Sequence, residues 1–488
     1  MNRKYITELL SSFEELYPVQ NFTIGRVKVW PLLRIYTAFY LMNEMVNINL
    51  DNREKFHESK GRVFFDFFNF LSSKAFIPNR RTKVVFLSYL TNRRYKHGRY
   101  KYDIYVDPIL DIINEKRYKI YEFGNSMDTS FRHVPHSKVG IFSIFTDVAK
   151  ALCFHIHDSY IKHNDLGWLD DFTFWLQRKT GIVLEKRNFL EYFCSIMVLS
   201  KLIEPFLKYD RPKVLLVVCW YCKEGLAAIY AAKKMGVIAV DIQHGLQGDG
   251  HFAYSGWVKE NLWDFFPDRF WVWGELDYKC LIKNNRLCSS SNVIIGGNPW
   301  INLWKEGLFK SHHRKRKDKQ VNILVTIQDF TPFDLLFDSI KRSPVNWHWY
   351  IKLHPTNINM QRKIVYSYIE KLCNKTKVSV VGDSYVDLYL YDLFKITDVH
   401  LTAYSTSAME AIAFNLPTVL IHENGLHAYE KFIKEGIMIF ANTPDEILRA
   451  IEKSFLIRIS HKNIFDKMSK ALFGTLKDTH NAWAGLVN

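Results

Sequence analysis

The feature that most constrains this chain is a regular alternation of short apolar runs and helix-length segments in its C-terminal half. The apolar runs, each followed by a helix-length segment, fall at residues 321–326, 348–353, 378–381, 399–402, 417–421 and 437–440. Short strands that alternate with helices are typical of parallel βα units. The pattern therefore predicts an α/β fold with a doubly wound parallel sheet.

The N-terminal half repeats this alternation less regularly, which predicts a second α/β domain. Its strand-like runs fall at residues 84–88, 119–123, 214–218, 237–241, 270–273 and 293–295. One long helix is expected over residues 188–209, and residues 1–80 are aromatic and mostly helical in pattern. A basic run at 310–319 separates the halves, and such charge runs are usually solvated linkers.

These patterns predict five segments along the chain. They are a helical aromatic extension over 1–80, a Rossmann-like domain over 81–305, a basic linker over 306–319, a second Rossmann-like domain over 320–460, and a C-terminal helix over 461–488 that packs back on the first domain. Ligands bind at the carboxyl ends of parallel strands, so the two domains are expected to face each other across a cleft that holds the ligand sites.

The composition is basic and rich in aromatic residues. The 488 residues carry 66 Lys and Arg against 50 Asp and Glu, a net charge of +16, and 15% of them are aromatic. A hydrophobic share of 48% excludes a wholly disordered chain. The balance favours an anionic or sugar-like partner: a nucleotide, a glycan, a nucleic acid or a membrane surface. The sequence has no Walker A motif and no Gly-x-Gly-x-x-Gly motif, which argues against an NTPase and a dinucleotide-binding protein.

The N-terminus and the cysteines favour the cytoplasm. Glutamates interrupt residues 1–17, unlike a signal peptide, and no run reaches the ~18 apolar residues of a membrane span. Residues 64–77 are rich in Phe and flanked by basic residues, which fits either a buried helix or a membrane-interface segment. The seven scattered cysteines are typical of reduced thiols. We expect Cys219 and Cys222 to be buried thiols at a strand end rather than a zinc or redox centre.

A phosphate site is predicted in the C-terminal half. Ser405, Thr406 and Ser407 follow one strand where a helix begins, and the free N–H groups of a helix N-terminus attract phosphate. Ser407 and Glu410 also have the spacing of a capping box, a reading compatible with a ligand. His354 directly follows the strand-like run at 348–353, and a histidine there fits either a phosphoryl contact or a packed strand end.

Three motifs resemble the nucleotide-binding domain of bacterial GT-B glycosyltransferases. They are Lys-Leu-His-Pro at 352–355, Tyr-Ser-Thr-Ser at 404–407 and Asn-Leu-Pro at 415–417. The resemblance is to the sialyl- and Kdo-transferase group of capsule and lipopolysaccharide synthesis, and it covers about residues 320–430. It implies that the HP and Ser-Ser/Thr motifs hold the phosphate of a CMP-sugar. The residues so assigned to the donor nucleotide are Lys352, His354, Pro355, Ser405, Thr406, Ser407, Glu410 and Glu423.

A glycine-rich loop over residues 241–254 is the second predicted site. It resembles the Gln-His-Gly region of many capsule biosynthesis proteins and concentrates acidic and histidine side chains at a strand end. In inverting relatives a carboxylate of the N-terminal domain is the base, so the candidates for catalysis are Asp241, Asp249, Glu224 and His244. The acidic-acidic-Gly motif of some sialyltransferases is absent, and only Asp249-Gly250 remains of it, which leaves the base and the stereochemistry open.

Acceptor binding is assigned to Gln243, His251 and Tyr254 of this loop and to Arg94 and Arg99. The two arginines lie in a basic, tyrosine-containing stretch over 93–101. Such a stretch fits an anionic glycan, a lipid diphosphate or RNA, and equally a solvated basic loop.

The expected function is transfer of Kdo or a sialic-type acid from a CMP donor to a lipopolysaccharide, O-antigen or capsule precursor at the inner-membrane surface. No Asp-x-Asp motif occurs, so a metal-independent reaction without a cofactor is expected, with a nucleotide sugar as substrate and a glycan or lipid-linked glycan as acceptor. The same fold also admits a glycerophosphotransferase or a UDP-sugar 2-epimerase. A nucleic-acid-binding protein is a remote alternative, and the oligomeric state stays open.

Overall fold

A computed structural model describes most of the chain. The described residues are 3–45, 70–71, 82–97, 100–124, 131–163, 165–245, 247–248, 250–260, 264–309, 320–328, 331–354, 358–372, 377–381 and 389–487. Several predictions fall outside them: those on Arg99, Asp249 and Pro355, on the basic run 310–319, and on nearly all of the aromatic segment 64–77.

The chain divides into two compact units. One unit comprises Met1–Trp300 together with Thr475–Asn488, and the other comprises Ile301–Gly474. Residues 461–488, for which one helix was predicted, contain two helices, of which the first lies in the second unit and the last in the first unit.

Eighteen strands are seen in the described part of the chain. In order they are β1 Thr23–Ile24, β2 Val27–Lys28, β3 Val84–Tyr89, β4 Arg93–His97, β5 Tyr100–Asp103, β6 Tyr118–Phe123, β7 Phe131–Arg132, β8 Val139–Ile141, β9 Val214–Val218, β10 Ile238–Ile242, β11 Arg269–Val272, β12 Val293–Ile295, β13 Val321–Thr326, β14 Trp347–Lys352, β15 Lys377–Val381, β16 Val399–Thr402, β17 Thr418–Leu420 and β18 Met438–Phe440.

The helices longer than one turn are numbered in the same way. They are α1 Arg3–Leu16, α2 Trp30–Met45, α3 Val106–Ile113, α4 Ser143–His163, α5 Gly167–Thr180, α6 Lys186–Asp210, α7 Lys223–Lys234, α8 Glu275–Asn284, α9 Pro299–Lys305, α10 Phe333–Arg342, α11 Ile358–Ile369, α12 Leu390–Ile396, α13 Ser407–Ala413, α14 Glu423–Ala428, α15 Glu430–Lys434, α16 Pro444–Ser460, α17 Lys462–Phe473 and α18 Leu476–Val487.

The first unit is built on a seven-stranded parallel sheet with the order β12-β11-β10-β9-β3-β6-β8. Strand β9 is buried throughout, and β3 is buried up to its last residue, Tyr89, as expected for inner strands of a parallel sheet covered on both faces. Alternate residues of these strands belong to two separate cores. One core includes α1, α2 and α6, and the other includes α18, whose Trp483 stacks on Phe86.

The second unit is built on a six-stranded parallel sheet with the order β15-β14-β13-β16-β17-β18. In each sheet the first strands of the chain are added in one direction. The chain then returns to the other side of the first strand, and the remaining strands are added in the opposite direction. The reversal lies between β3 and β9 in the first unit and between β13 and β16 in the second. Crevices at such switch points, at the carboxyl ends of the strands, are where open α/β sheets bind ligands.

The predicted strands of both sheets agree with the observed bounds to within one residue at each end. The basic stretch 93–101 differs, because the loop predicted there contains the antiparallel strands β4 and β5. Within the described residues, no helix is both long and apolar enough to cross a membrane.

Candidate functional site

The switch point of the first sheet brings together the segments that follow β3, β9 and β10. Directly after β9, Cys219 takes a left-handed backbone conformation with φ 71°, which is uncommon outside glycine and often marks functional sites. The turn is tight, since a Cβ on Gly225 would lie 2.4 Å from the carbonyl oxygen of Cys219. Only glycine fits at position 225, and this close approach fixes the start of α7 against the strand end.

The two cysteines at this turn are half-buried, whereas the sequence predicted buried thiols at the strand end. Cys222 caps α7: its Sγ accepts a hydrogen bond from Gly225 N at 3.3 Å and donates one to Cys219 O at 2.9 Å. The Tyr89 hydroxyl lies 2.5 Å from the same sulfur. A hydrogen bond from Cys222 and the nearby His244 hold the pKa of Cys219 well below its ordinary value, although burial opposes this.

His244 is the half-buried histidine of the glycine-rich loop. Its Nε2 lies 3.1 Å from the Tyr221 hydroxyl, and its backbone oxygen accepts a 2.9 Å hydrogen bond from the Tyr105 hydroxyl. Burial would lower the pKa of His244, but its hydrogen bond to Cys219 and the charges of Cys219 and Asp241 raise it above the ordinary value. Surroundings that raise the pKa of an imidazole make it a stronger base, and such a group is suited to proton transfer.

Asp241, at the end of β10, is completely buried. One carboxylate oxygen accepts a 3.0 Å hydrogen bond from Trp220 N, and the other accepts one of 2.9 Å from the hydroxyl of Tyr254, which is itself buried. Burial raises the pKa of Asp241 to about 7. With both oxygens bonded and no exposed surface, Asp241 is placed to orient the strand ends and to act on His244 by its charge.

Gln243 also serves the shape of the loop. It is fully buried, its amide nitrogen donates to Gly245 O at 3.0 Å, and its amide oxygen accepts from Trp273 N at 2.6 Å. His251 is half-buried, with its Nε2 3.5 Å from the Tyr221 hydroxyl. Burial and the charges of Arg3 and His244 lower the pKa of His251 to about 3, so this imidazole is neutral near pH 7.

The N-terminal helices brace this loop from behind. Glu14 of α1 and Arg34 of α2 form a fully buried ion pair at 2.5 Å. Arg34 donates to the backbone oxygens of Phe252 at 3.3 Å and Ser255 at 2.9 Å, while Glu14 accepts from Val258 N at 2.9 Å. The loop backbone is therefore held by a charged pair on the helical extension. Sequence analysis missed this role, although a single arginine within the apolar run of α2 signals a buried partner.

Close backbone approach completes the brace. Gly256 has φ +74°, and a Cβ there would lie 2.3 Å from the Ser11 hydroxyl and 2.7 Å from a Thr7 methyl group. The Ser11 hydroxyl donates to Gly256 O at 2.6 Å, and the Thr7 hydroxyl donates to Gly250 O at 3.0 Å. Helix α1 thus contacts both ends of the segment that carries His251.

The basic stretch after β3 contributes a buried cation, Arg93, and not an exposed surface for an anionic ligand. Arg93 donates to Glu122 at 2.6 Å and to Asp107 at 3.4 Å, and its side chain is almost fully buried. Arg132 pairs with the other oxygen of Glu122 at 2.7 Å. Arg94, the predicted acceptor contact, is exposed, and its Nε donates to Thr91 O at 3.0 Å.

Glu224, the third carboxylate candidate, lies in the first turn of α7. It is half-buried, and its carboxylate accepts a 3.4 Å hydrogen bond from the Thr146 hydroxyl. It follows Cys222 by two residues and therefore stands at the same switch point as His244.

In the second unit, a buried hydroxyl and imidazole cluster lies across the switch point. The Thr326 hydroxyl is 2.9 Å from His400 Nε2 and 3.0 Å from the Ser407 hydroxyl, and His400 Nδ1 is 3.1 Å from the Thr418 hydroxyl. Burial lowers the pKa of His400 to about 3, so the imidazole is neutral. Ser407 is thus bound inside the sheet, where it positions the turn that precedes it.

That turn presents the remaining hydroxyls. Ser405 is half-buried and Thr406 is exposed, and the Ser405 hydroxyl accepts from Ser407 N at 3.3 Å. The Tyr429 hydroxyl donates to Ser405 O at 2.8 Å. Gly425 approaches so closely that a Cβ would lie 2.2 Å from Ala403 O. Gly425 and Tyr429 therefore hold the backbone of residues 403–405 from outside the turn.

The Lys-Leu-His-Pro element follows β14, one strand away from β16 on the same edge of the sheet. Lys352 and His354 are half-buried, and His354 N donates to the side-chain oxygen of Gln361 at 2.8 Å. The amide nitrogen of Gln361 is buried without a hydrogen-bond partner. Glu410 is half-buried and its charge raises the pKa of Tyr429, which burial raises further, whereas Glu423 is exposed at the start of α14.

Sequence analysis selected residues at both switch points, but it did not single out Tyr221, Tyr105, Thr326 or His400. No sequence motif marks these residues, because their contacts depend on which strands are neighbours in the sheet. Across the described ranges, no group of three or more His, Cys, Asp or Glu side chains is arranged to hold a metal ion.

Comparison with solved structures gives the fold. A UDP-N-acetylglucosamine 2-epimerase superposes with a TM-score of 0.50 at 12% identity, over 83% of this chain and 95% of the other. The UDP-GlcNAc 2-epimerase of Methanocaldococcus jannaschii gives 0.48 at 13% identity, over 83% and 99%. The glycotransferase of kitacinnamycin gives 0.48 at 11% identity, over 84% and 100%. No family model matches the chain, and neither does any curated protein.

The chain has a GT-B-type fold. It consists of two Rossmann-like α/β units with additional N-terminal helices, which confirms the predicted fold class. At 12% identity the likeness concerns the fold alone.

Proposed function

We propose that this protein is a nucleotide-sugar enzyme that transfers a sugar to a glycan acceptor. The observation that carries the proposal is the hydroxyl turn at the switch point of the second sheet, where Ser405 and Thr406 are presented by a rigidly held backbone. In GT-B-type folds the crevice beyond the strand ends is the expected ligand site. The motif resemblance of the same residues to nucleotide-sugar enzymes supports a phosphate ligand there.

In the proposed donor site, Ser405, Thr406, His354 and Lys352 bind the phosphate and stabilise the charge that develops on the leaving nucleotide. Pro355 is assigned to the same site by the resemblance of the Lys-Leu-His-Pro motif. Ser407 acts as a positioning residue through its bonds to Thr326 and His400. Glu410 and Glu423 are proposed to contact the ribose or the base. No metal or cofactor is assigned a role in this transfer.

In the proposed acceptor site, His244 is the candidate base. Its raised pKa, which makes the imidazole a stronger base, and its half-buried position support proton uptake from an acceptor hydroxyl. Asp241 and Gln243 are positioning residues, as is Tyr254, which bonds to Asp241. Glu224 and Asp249 are the alternative bases. His251, Arg94 and Arg99 are proposed to contact the acceptor.

The finer proposal concerns the substrates. A CMP-linked donor, carrying Kdo or a sialic-type acid, rests on the resemblance of the HP and Ser-Ser/Thr motifs. A lipopolysaccharide, O-antigen or capsule precursor at the inner-membrane surface is proposed as the acceptor, since a net charge of +16 favours anionic glycans and anionic lipids.

A second candidate is a UDP-sugar 2-epimerase. The solved structure with a TM-score of 0.50 is a UDP-N-acetylglucosamine 2-epimerase, and this specific likeness favours the alternative. Epimerisation needs no acceptor, whereas transfer does, so the two reactions differ in a measurable requirement.

The test is product analysis with CMP-, UDP- and GDP-sugars, each with and without oligosaccharide and lipid-linked acceptors. Transfer predicts nucleotide release that depends on the acceptor, and a glycosylated product by mass spectrometry. Epimerisation predicts a new UDP-sugar without an acceptor. His244→Gln should abolish transfer but keep nucleotide binding, while His480→Gln, which changes an exposed histidine of α18, should leave both transfer and binding unchanged. Absence of any donor conversion across the panel would contradict both functions.

A further inference from the structure

Two cysteines lie at the turn between β9 and α7. Cys219 is the residue directly after the strand, and Cys222 is the N-cap of the helix. The Cys222 sulfur also lies 2.9 Å from the Cys219 carbonyl oxygen. Both residues keep some exposed surface, unlike Cys153 and Cys194, which are buried. A Cys-x-x-Cys pair at a strand-to-helix turn of a parallel sheet is the arrangement used for thiol–disulfide exchange.

We propose that Cys219 and Cys222 form a redox-active dithiol, which closes reversibly into a disulfide by exchange with a low-molecular-weight disulfide. Sequence analysis predicted no redox centre here, because spacing alone does not show that the Cys222 side chain folds back onto Cys219. The proposal concerns a modification of the chain and does not depend on the proposed glycosyl transfer.

The chemistry balances in two steps. The Cys219 thiolate attacks one sulfur of the external disulfide, a mixed disulfide forms at Cys219, and one external thiolate leaves. Cys222 then loses its proton and attacks the sulfur of Cys219, and the second external thiolate leaves. The two cysteines lose two electrons and two protons in total, and the external disulfide is reduced to two thiols.

The two cysteines differ in their surroundings and therefore have different roles in the exchange. Cys219 is the attacking thiol, because its bonds to Cys222 and His244 lower its pKa below the ordinary value. Cys222 is the resolving thiol, since burial and the neighbouring Cys219 raise its pKa. The left-handed backbone at Cys219, with φ 71°, turns the chain so that residues 219 and 222 stay close.

The first experiment maps the disulfide in the full-length protein. The probe is a series of glutathione and glutathione disulfide mixtures, followed by an acid quench, N-ethylmaleimide and non-reducing mass spectrometry. Trypsin releases residues 214–223 as one peptide that contains both cysteines, because Lys213 and Lys223 bound it. We expect this peptide to lose two hydrogen atoms as the disulfide share rises, and to regain them when glutathione is added back.

Variants separate the parts of the two thiols. Cys222→Ser should trap glutathione on Cys219 as a stable mixed disulfide. Cys219→Ser should lower the rate of reaction with glutathione disulfide at this turn by about tenfold or more. Cys280→Ser is the matched control, because Cys280 is another half-buried cysteine, on α8, and its loss should change neither result.

Three results would overturn the proposal. These are a peptide that stays reduced at every glutathione ratio, glutathione attached to Cys219 in the wild type without closure to the disulfide, or equal modification of Cys219 and Cys280. The wild-type mapping decides the matter even if a cysteine variant fails to fold.

Discussion

Cys219 and His244 follow the carboxyl ends of two neighbouring parallel strands, β9 and β10, and the charge of each shifts the pKa of the other. Each lowers the cost of charge on the other, since the thiolate favours a protonated imidazole and the imidazolium favours the thiolate. The two residues are twenty-five positions apart in sequence, and it is the parallel register Ile242 to Val218 that brings them together.

Removal of the sulfur should therefore change the titration of the histidine. In Cys219→Ser we expect the pKa of His244 to fall, because burial then acts with less opposition from a neighbouring charge. The measurement is an NMR titration of the histidine ring signals, with His244→Gln to assign the resonance. Cys280→Ser should leave the titration unchanged, and an unchanged His244 pKa in Cys219→Ser would show that the two groups are not coupled.

The buried pair of Glu14 and Arg34 should be essential for the loop that it braces. Arg34→Met leaves the Glu14 carboxylate buried without its cation, and such losses cost about 3–5 kcal/mol of the free energy of unfolding. The measurements are denaturant unfolding and hydrogen exchange at the backbone of Gly256 to Val258, which should exchange faster.

The matched control for that pair is an exposed one on the same helix. Lys4 and Glu8 approach to 3.9 Å with both side chains mostly exposed, so Glu8→Gln should change stability by less than about 0.5 kcal/mol. Equal effects of the two substitutions would mean that the buried pair does not brace the loop.

His400 should make the second unit sensitive to acid. Burial lowers its pKa to about 3 in the folded chain, against 6.5 as the ordinary value, so the unfolded chain binds a proton first. Its contribution to stability is present above pH 6.5 and is lost as the pH falls towards 3, by up to about 4 kcal/mol.

The check is the pH dependence of unfolding in wild type and His400→Asn. The variant loses hydrogen bonds at every pH, so the informative quantity is the slope below pH 6.5, which should be shallower than in the wild type. Identical slopes would contradict a neutral, buried His400. Exposed His480→Gln supplies a control that keeps the wild-type slope.

Gly425 should be irreplaceable because it lies against the backbone of the hydroxyl turn. Gly425→Ala places a Cβ about 2.2 Å from Ala403 O, and overpacking of this kind costs about 1–3 kcal/mol. Thermal unfolding measures the loss. Gly485→Ala is the control, because that glycine of α18 has open space around its Cβ position and the exchange should stabilise the helix by about 0.5–1 kcal/mol.

The sequence predicted the strands of the two sheets except β8, because each predicted strand is an apolar run bounded by polar turns. It also selected residues near both switch points, since His244 and Ser405 lie two and three residues beyond β10 and β16. It did not predict the bonds of Asp241, Gln243 and Ser407, because whether a polar side chain at a strand end faces inward depends on neighbours distant in sequence.

The basic stretch 93–101 shows the same limit from another side. Its cations suggested an exposed grip, yet Arg93 is buried by Glu122 and Asp107, which lie on other elements. A charged residue can be buried when the fold places opposite charges beside it, and the local sequence pattern does not show which distant residues supply those charges. The brace by Glu14 and Arg34 was missed for the same reason.

The most direct test of the central claim is calorimetric titration of the wild-type protein and of Ser405→Ala with CMP, UDP and GDP. We predict that one of these nucleotides binds the wild type with one-to-one stoichiometry, and that the substitution weakens its binding by about tenfold, close to the loss of one hydrogen bond to a charged group. Thr443→Ala, which changes an exposed helix cap elsewhere in the unit, should bind like the wild type. Binding of none of the three nucleotides, or equal affinity in Ser405→Ala and wild type, would contradict the account.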